Sequence, residues 1–408
     1  MKPYLKFLIS RAELLILSAL TGVLTGIACI VFGRVLILAG DFRNSHFFQL
    51  VPFLGVAGFA IAAVYRKWGG ESIKGMTLVF ETEWNRKKRI PRRTIPLIIV
   101  STWLTHLFGG SAGRESVGVQ VGADIGFNLG RQVHNLQFSR TLLMAGIAAG
   151  FSGLFGTPLA AVFFALEVIV AGVLNYEALI PATVAALAAS AVAQAGGLKP
   201  ERFPLAVQLS YTPVTYVKLV VLALIFSLVG QLFSWSLKKF RGIFQNLLDD
   251  TRLRTLYAGF FISLSSILLF QGRYSGLGDN LVEAAFDGGT IYAFDWILKL
   301  LLTVITLSAG FQGGELMPLF AIGAPLGFIL GAPLGLPPTF CAALGYVAVF
   351  AGATNTFLCP FILGCEVFGY DYMFVFFLVC GISRIMNGNR SIYVYQKHVV
   401  WDPGSILK

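Results

Sequence analysis

Gly109-Gly110-Ser111-Ala112-Gly113-Arg114-Glu115-Ser116-Val117-Gly118-Val119-Gln120 lies between two apolar segments and opens a run of glycines at every fourth position, Gly118, Gly122, Gly126 and Gly130. That spacing keeps the glycines close to one face of a helix. An Arg-Glu pair therefore stands where the helix begins. A helix start has N–H groups without partners and a partial positive charge, which together make an anion site. Glu115 fills that site itself when ionised, and leaves it when protonated or displaced by another anion. The alternative is a purely structural Arg114–Glu115 ion pair. Glycine stripes are also explained in part by close helix packing.

The surroundings of this stretch are membrane-like. The 408 residues are 56% hydrophobic and only 12% charged, with a mean hydropathy of +0.76, whereas soluble domains carry about 25% charged residues. At about 20 residues per span, the apolar residues could fill at most about eleven crossings. An all-α polytopic membrane protein is expected; a soluble enzyme and disordered, fibrous or disulfide-scaffold classes are excluded. A charge at the centre of a bilayer costs at least about 2.5 kcal/mol, so Arg114 and Glu115 are functional candidates. The cysteines (Cys29, Cys341, Cys359, Cys365, Cys380) lie in apolar stretches without metal-ligand spacing, and the four histidines have no i, i+4 pair. Neither a metal site nor a cofactor is expected. The net charge of +11 reads as basic loops on the cytoplasmic side, not as a nucleic-acid surface. No cleavable signal is evident at the N-terminus.

Residues 12–38 and 47–65 are two long apolar runs that read as a helical hairpin joined by a short loop at 39–46. A short amphipathic piece at 72–84 follows. The densest basic run, at 86–93, is placed in the cytoplasm, which also puts the basic N-terminus inside. From Thr94 onward the apolar segments are short and interrupted by Gly and Pro. Broken helices are tolerated at membrane depth only where the backbone is buried in protein or lines a watery cavity.

The second half repeats the first. Gly323, Gly327, Gly331 and Gly335 form another stripe; Gly122 pairs with Gly323, and Gly75 with Gly276, at an offset of 201, and Thr157 with Thr356 and Glu167 with Glu366 at 199. The basic run at 86–93 corresponds to a place inside residues 274–298, which have no Lys or Arg. The two loops fall on opposite sides, so the repeats are inverted. The expected organisation is one integral membrane domain with a first repeat at 1–198, a polar proline-rich connection at 199–212 and a second repeat at 213–408, without a cytoplasmic regulatory domain. The partner of the opening stretch is Gly310-Phe311-Gln312-Gly313-Gly314-Glu315-Leu316-Met317-Pro318-Leu319, again glycines, a carboxylate and a helix start, with proline in the first turn where it fits. Two helix starts would face one midplane anion from opposite sides, offering the amides that follow Glu115 (Ser116, Val117) and Glu315 (Leu316, Met317). Phe80 is a further candidate, since the positive edge of an aromatic ring can contact an anion. Glu167 and Glu366 read as satisfying helix ends or contacting a dimer partner, and Asp124 as a cap or an interface group.

Gly113-Arg114-Glu115 with Val119-Gln120, Ala148-Ala149-Gly150, Phe155-Gly156-Thr157-Pro158-Leu159-Ala160 with Leu166-Glu167, and Gly314 with Pro318 and Ile322-Gly323-Ala324 resemble the signature segments of the CLC family of chloride channels and anion/proton antiporters, in the same order and across nearly the whole chain. Lys74-Gly75-Met76, Gly313-Gly314-Glu315, Thr354-Asn355-Thr356, Gly364-Cys365-Glu366 and Ser391-Ile392-Tyr393 resemble its fluoride/proton antiporter branch. The resemblance implies a CLC-like fold of two inverted repeats, gating and proton transfer by Glu115 and Glu315, and anion contacts from Met76, Phe80, Arg114, Ser116, Val117, Leu316, Met317 and Tyr393, with Tyr395 the alternative tyrosine. Val168 stands where chloride/proton members carry an inner glutamate, Met317 where the fluoride branch commonly has threonine, and Ser116-Val117 where the family has Gly-Pro or Gly-Thr. The partners so implied are a small inorganic anion (fluoride, alternatively chloride), protons, the lipid bilayer and a second copy in a homodimer, in the bacterial inner membrane with the N-terminus cytoplasmic. An intramembrane enzyme is the third reading; no HExxH or GxSxG segment supports it.

Overall fold

The computed structural model describes residues 3–85, 89–133 and 136–398; Lys2 and the basic Arg86, Lys87 and Lys88 used above to orient the chain lie outside them. Six described stretches are long and apolar enough to cross a bilayer: Ile9–Ser45, Phe47–Lys74, Gln137–Phe155, Tyr176–Ala195, Pro213–Leu247 and Leu316–Leu334. The expectation of short segments after Thr94 therefore needs correcting for four of them, although Thr94–Leu107, Pro158–Glu167, Pro338–Thr354 and Leu358–Phe368 are short.

The first half comprises α1 (Pro3–Ser45), α2 (Phe47–Leu50), α3 (Leu54–Val64), α4 (Met76–Trp84), α5 (Thr94–Leu107), α6 (Glu115–Gln132), α7 (Leu136–Phe155), α8 (Pro158–Glu167) and α9 (Leu179–Ala195). The second comprises α10 (Pro213–Leu247), α11 (Thr251–Leu268), α12 (Asp279–Phe286), α13 (Asp295–Ala309), α14 (Leu316–Gly331), α15 (Pro338–Thr354), α16 (Leu358–Phe368) and α17 (Met373–Met386). A short parallel pair, β1 (Val170–Ala171) with β2 (Lys397–His398), ties the end of α8 to the C-terminal segment. Neighbour relations repeat between halves: α6 packs on α7 as α14 does on α15, α1 on α9 as α10 on α17, and α4 on α6 as α12 on α14.

The glycine stripes explain the tightest of these pairs. A methyl on Gly122 would land on the carbonyl oxygen of Gly146, and one on Gly146 would land on that of Gly122. Gly323 and Gly345 stand in the same relation between α14 and α15. With no side chain between them, the backbones meet directly, which is how helices gain packing contact in lipid.

The expected hairpin is not formed. The helix of α1 continues through the supposed loop to Ser45, and α3 packs on α11 of the other half instead. The cause is a second pair of small residues: a methyl on Gly55 would sit 2.6 Å from the Leu256 carbonyl oxygen, and one on Gly259 would sit 2.5 Å from the Gly55 Cα. The amphipathic piece also divides, into a 3-10 turn at Gly70–Lys74 and the helix α4.

Two carboxylates cross-link the halves. Glu167 at the end of α8 accepts N–H groups of Phe357 (3.0 Å), Leu358 (3.1 Å) and Cys359 (2.8 Å) at the start of α16. Glu366 near the end of α16 accepts those of Leu159 (3.1 Å) and Ala160 (2.8 Å) at the start of α8. Of the two roles open to these acids, satisfying helix ends is the one observed. Asp124 is neither a cap nor an interface group: it lies buried within α6, and neither carboxyl oxygen has a hydrogen-bond partner among the described residues. Residues 199–212 contain no helix, yet every second side chain from Phe203 to Leu209 packs on the core, with the Phe203 and Leu205 N–H groups donating to the carbonyls of Val367 and Phe368 and Phe203 stacked on Phe286 at 4.9 Å.

Candidate anion pathway

Two glycine-rich loops cross at the centre of the molecule. Gly113 donates to the Gly314 carbonyl at 2.6 Å and Gly314 to the Gly113 carbonyl at 2.7 Å, while Gly276 donates to Gly110 at 3.0 Å and Ala112 to Gly276 at 3.2 Å. This exchange brings together the starts of α6 and α14, neither of which has a side-chain cap from the residue before it. Apart from the Val117 N–H, which donates to the Arg114 carbonyl at 3.1 Å, their first-turn N–H groups are left for other acceptors. Gly113 is required by the fit, since a Cβ there would stand 2.8 Å from Pro318 Cδ and 3.1 Å from the Met317 nitrogen. Lys299, fully buried on α13, fastens the crossing: its Nζ donates to Gly276 O (2.8 Å), Ser111 Oγ (3.0 Å) and Tyr274 O (3.2 Å).

A cavity of about 920 Å³ rises to the crossing from one side. Met76, Thr77, Phe80, Ser116, Val117, Glu315 and Tyr393 contribute to its lining, as do Arg66, Lys74, Arg241, Arg252 and Arg254. The Glu315 N–H donates to Ser116 Oγ at 3.3 Å. Glu315 Oε2 and the Tyr393 hydroxyl are buried and have no hydrogen-bond partner among the described residues. Phe80 packs on Tyr393 with ring centroids 5.3 Å apart. Of the two candidate tyrosines both reach the cavity, but Tyr393 is buried and Tyr395 exposed.

Four expected site residues lie at the crossing and not in the cavity wall. Leu316 and Met317 are buried at the start of α14, and Arg114 and Glu115 are buried beside the crossing; none of them lines the cavity. Glu115 folds back on its own helix start, with one oxygen accepting the Arg114 backbone N–H (3.2 Å) and the other the Arg114 Nε–H (3.2 Å). The far edge of that guanidinium donates to Glu201 at 3.3 Å, and Tyr346 donates to the other Glu201 oxygen at 3.2 Å. Glu201 and Lys299 were missed in the sequence reading. Glu201 is the sole acid in the connecting segment and Lys299 ends the long stretch without basic residues, and in a membrane chain each isolated charge is a signal of this kind.

The family model of the voltage gated chloride channel matches residues 57–388. This chain belongs to the CLC family. A chloride/fluoride channel protein of Pseudomonas syringae pv. tomato is 34% identical over 394 residues, 95% of this CLC chain and 86% of that protein. The crystal structure of a CLC-type fluoride/proton antiporter is 44% identical, with a TM-score of 0.94 over 96% of this chain and 99% of that one. A slow cyanobacterial Cl⁻/H⁺ antiporter, 19% identical with a TM-score of 0.80 over 93% of this chain and 96% of that one, shares the fold. The CLC architecture of two inverted repeats accounts for the crossing, since each half delivers one broken-helix start to the same point.

Proposed function

We propose that this multi-pass CLC protein is a fluoride/proton antiporter that exports fluoride from the cytoplasm as protons enter. The observation that carries the reading is Glu315, a second carboxyl beside the cavity with an oxygen that no described group satisfies. With Glu115 on the other helix start, a proton has two places to stand along one anion route. Val168, at the position where chloride/proton relatives place their inner acid, offers none. The fluoride/proton antiporter at 44% identity and the chloride/fluoride channel relative support the same assignment.

Fluoride is small and strongly hydrated, so its site must replace water with close donors. The amides of Ser116, Leu316 and Met317, the Tyr393 hydroxyl and the ring edge of Phe80 provide them, with Met76 narrowing the approach, while the expected Val117 N–H is taken by the Arg114 carbonyl at 3.1 Å. Arg114 is already held by two carboxylates, so the anion meets oriented dipoles and not a full free charge that would trap it. Ionised Glu115 occupies its own helix start; protonation releases it, and the proton then reaches Glu315 and the cavity. The basic residues Arg66, Lys74, Arg241, Arg252 and Arg254 that line the cavity support a cytoplasmic mouth, and with it a cytoplasmic N-terminus. An inner-membrane homodimer with one pathway per subunit belongs to the same reading.

Proteoliposomes loaded with equal fluoride and chloride test it. Fluoride is expected to leave much faster, and Glu115→Gln, which cannot carry the proton, to abolish proton movement while staying folded. Chloride release at a comparable rate would leave a chloride channel or exchanger in its place, and parental proton pumping by Glu115→Gln would remove that residue from the mechanism.

A further inference from the structure

The Arg114 guanidinium is shared. Its Nε donates to Glu115 and its Nη2 to Glu201, so one cation serves two carboxylates whose binding positions are neighbouring edges of the same planar group. Glu201 is fixed there from two further sides. Its backbone N–H donates to the Phe155 carbonyl at 3.3 Å, and its second oxygen accepts from Tyr346, a buried residue stacked flat on Phe320 at 4.1 Å. Among the described residues Asp279, at the start of α12, also acts electrostatically on Arg114, Glu115 and Glu201. The neighbouring cation Lys299 is occupied by Ser111, Tyr274 and Gly276. The two carboxylates differ in access to water: the side chain of Glu115 is 0% exposed and that of Glu201 13%.

Two carboxylates on one cation cannot ionise independently, because each charge raises the cost of the other. We propose that Glu201 is the positioning residue that sets the proton affinity of Glu115, acting through Arg114 from the side opposite the cavity. When Glu201 is ionised it holds the guanidinium, and Glu115 keeps its proton. When solvent protonates Glu201, Arg114 turns its full charge to Glu115, which ionises and returns to its helix start. The connecting segment between the repeats thereby delivers the proton balance of the outer solution to the gate. This rests on the proton-antiport reading, with Glu115 as the proton carrier.

The test is the pH dependence of fluoride and proton flux in proteoliposomes. Glu201→Gln removes the competing charge, favours ionised Glu115 and should move the midpoint of the pH profile toward acid by about one pH unit. Glu201→Asp, which keeps the charge, should stay nearer the parent. Tyr346→Phe removes a donor that favours ionised Glu201 and should give a smaller move in the same direction, which keeps the proposal testable if Glu201→Gln does not fold. In a Glu115→Gln background, which moves no protons, the Glu201→Gln change should leave the pH profile of the remaining fluoride flux where it is. A parent that moves protons together with a Glu201→Gln or Tyr346→Phe profile that does not move overturns this proposal alone, as does an equal shift in the Glu115→Gln background. A parent that moves no protons overturns the transport reading, and this proposal with it.

Discussion

Three carboxylates near helix starts do two different jobs, distinguishable by what satisfies them. Glu167 and Glu366 have their oxygens engaged by backbone N–H groups of the opposite half, whereas Glu315 keeps an oxygen without a partner among the described residues. Removing Glu315 should therefore cost function and removing Glu167 should cost stability. Glu315→Ala is expected to lower fluoride turnover per folded protein at least about tenfold, the equivalent of about 1.4 kcal/mol. Glu167→Ala should keep most of its turnover per folded protein but lose about 2 kcal/mol or more, because three N–H groups of α16 are left in the interior. Flux normalised to monodisperse protein, beside a thermal melt, separates the two; equal losses of turnover would make Glu315 another structural acid. Glu315 was legible in the sequence because its chemistry is local, a carboxylate between glycines and a helix start. Glu201 was not, because its cation stands 87 residues away, and the hydroxyl that Lys299 binds stands 188 away. Spacing along a chain carries no record of such pairs.

Elements in this molecule are placed by what their small residues permit. Gly122 and Gly146 bring α6 and α7 into backbone contact, so Gly122→Ala cannot be absorbed by a rotamer change and should destabilise by about 3 kcal/mol, the upper end of overpacking costs. Gly242, on α10, has nothing within 4 Å of where a Cβ would stand. Gly242→Ala should leave stability unchanged or raise it by about 0.5–1 kcal/mol, since alanine is the better helix former. Melting curves of the two variants in the same detergent decide it; a harmless Gly122→Ala would show that the stripe does not set the helix contact. The stripes themselves were readable from their period, and the inverted halves from their offsets and basic loops. The pairing of α3 with α11 was not readable, because a hydrophobic run reveals that a helix is buried in lipid or protein but not which neighbour it meets. Gly55 and Gly259 settle that contact, 204 positions apart in a sequence rich in glycine.

For the whole molecule, the inverted arrangement makes equivalent surfaces of the two halves face opposite solutions. All five native cysteines are buried, so introduced thiols report against a quiet background. Gln245 borders the cavity and Asp287 is exposed on the loop after α12. Gln245→Cys should react with a membrane-impermeant thiol reagent only in inverted vesicles, and Asp287→Cys only in intact spheroplasts; labelling of both from one side, or of each from the other side, would contradict the proposed orientation. The reciprocal carboxylates also govern the order in which the protein can be made. When the ribosome has finished the first half, α8 already stands in the chain with amides whose acceptor, Glu366, will not be synthesised for roughly another 200 residues, and α3 still lacks α11. Those contacts of the first half can close only as the second half follows it, α3 on α11 first and α8 on Glu366 last. A chain interrupted before Glu366 therefore lacks the acceptor for the Leu159 and Ala160 amides, and its first half is left incomplete.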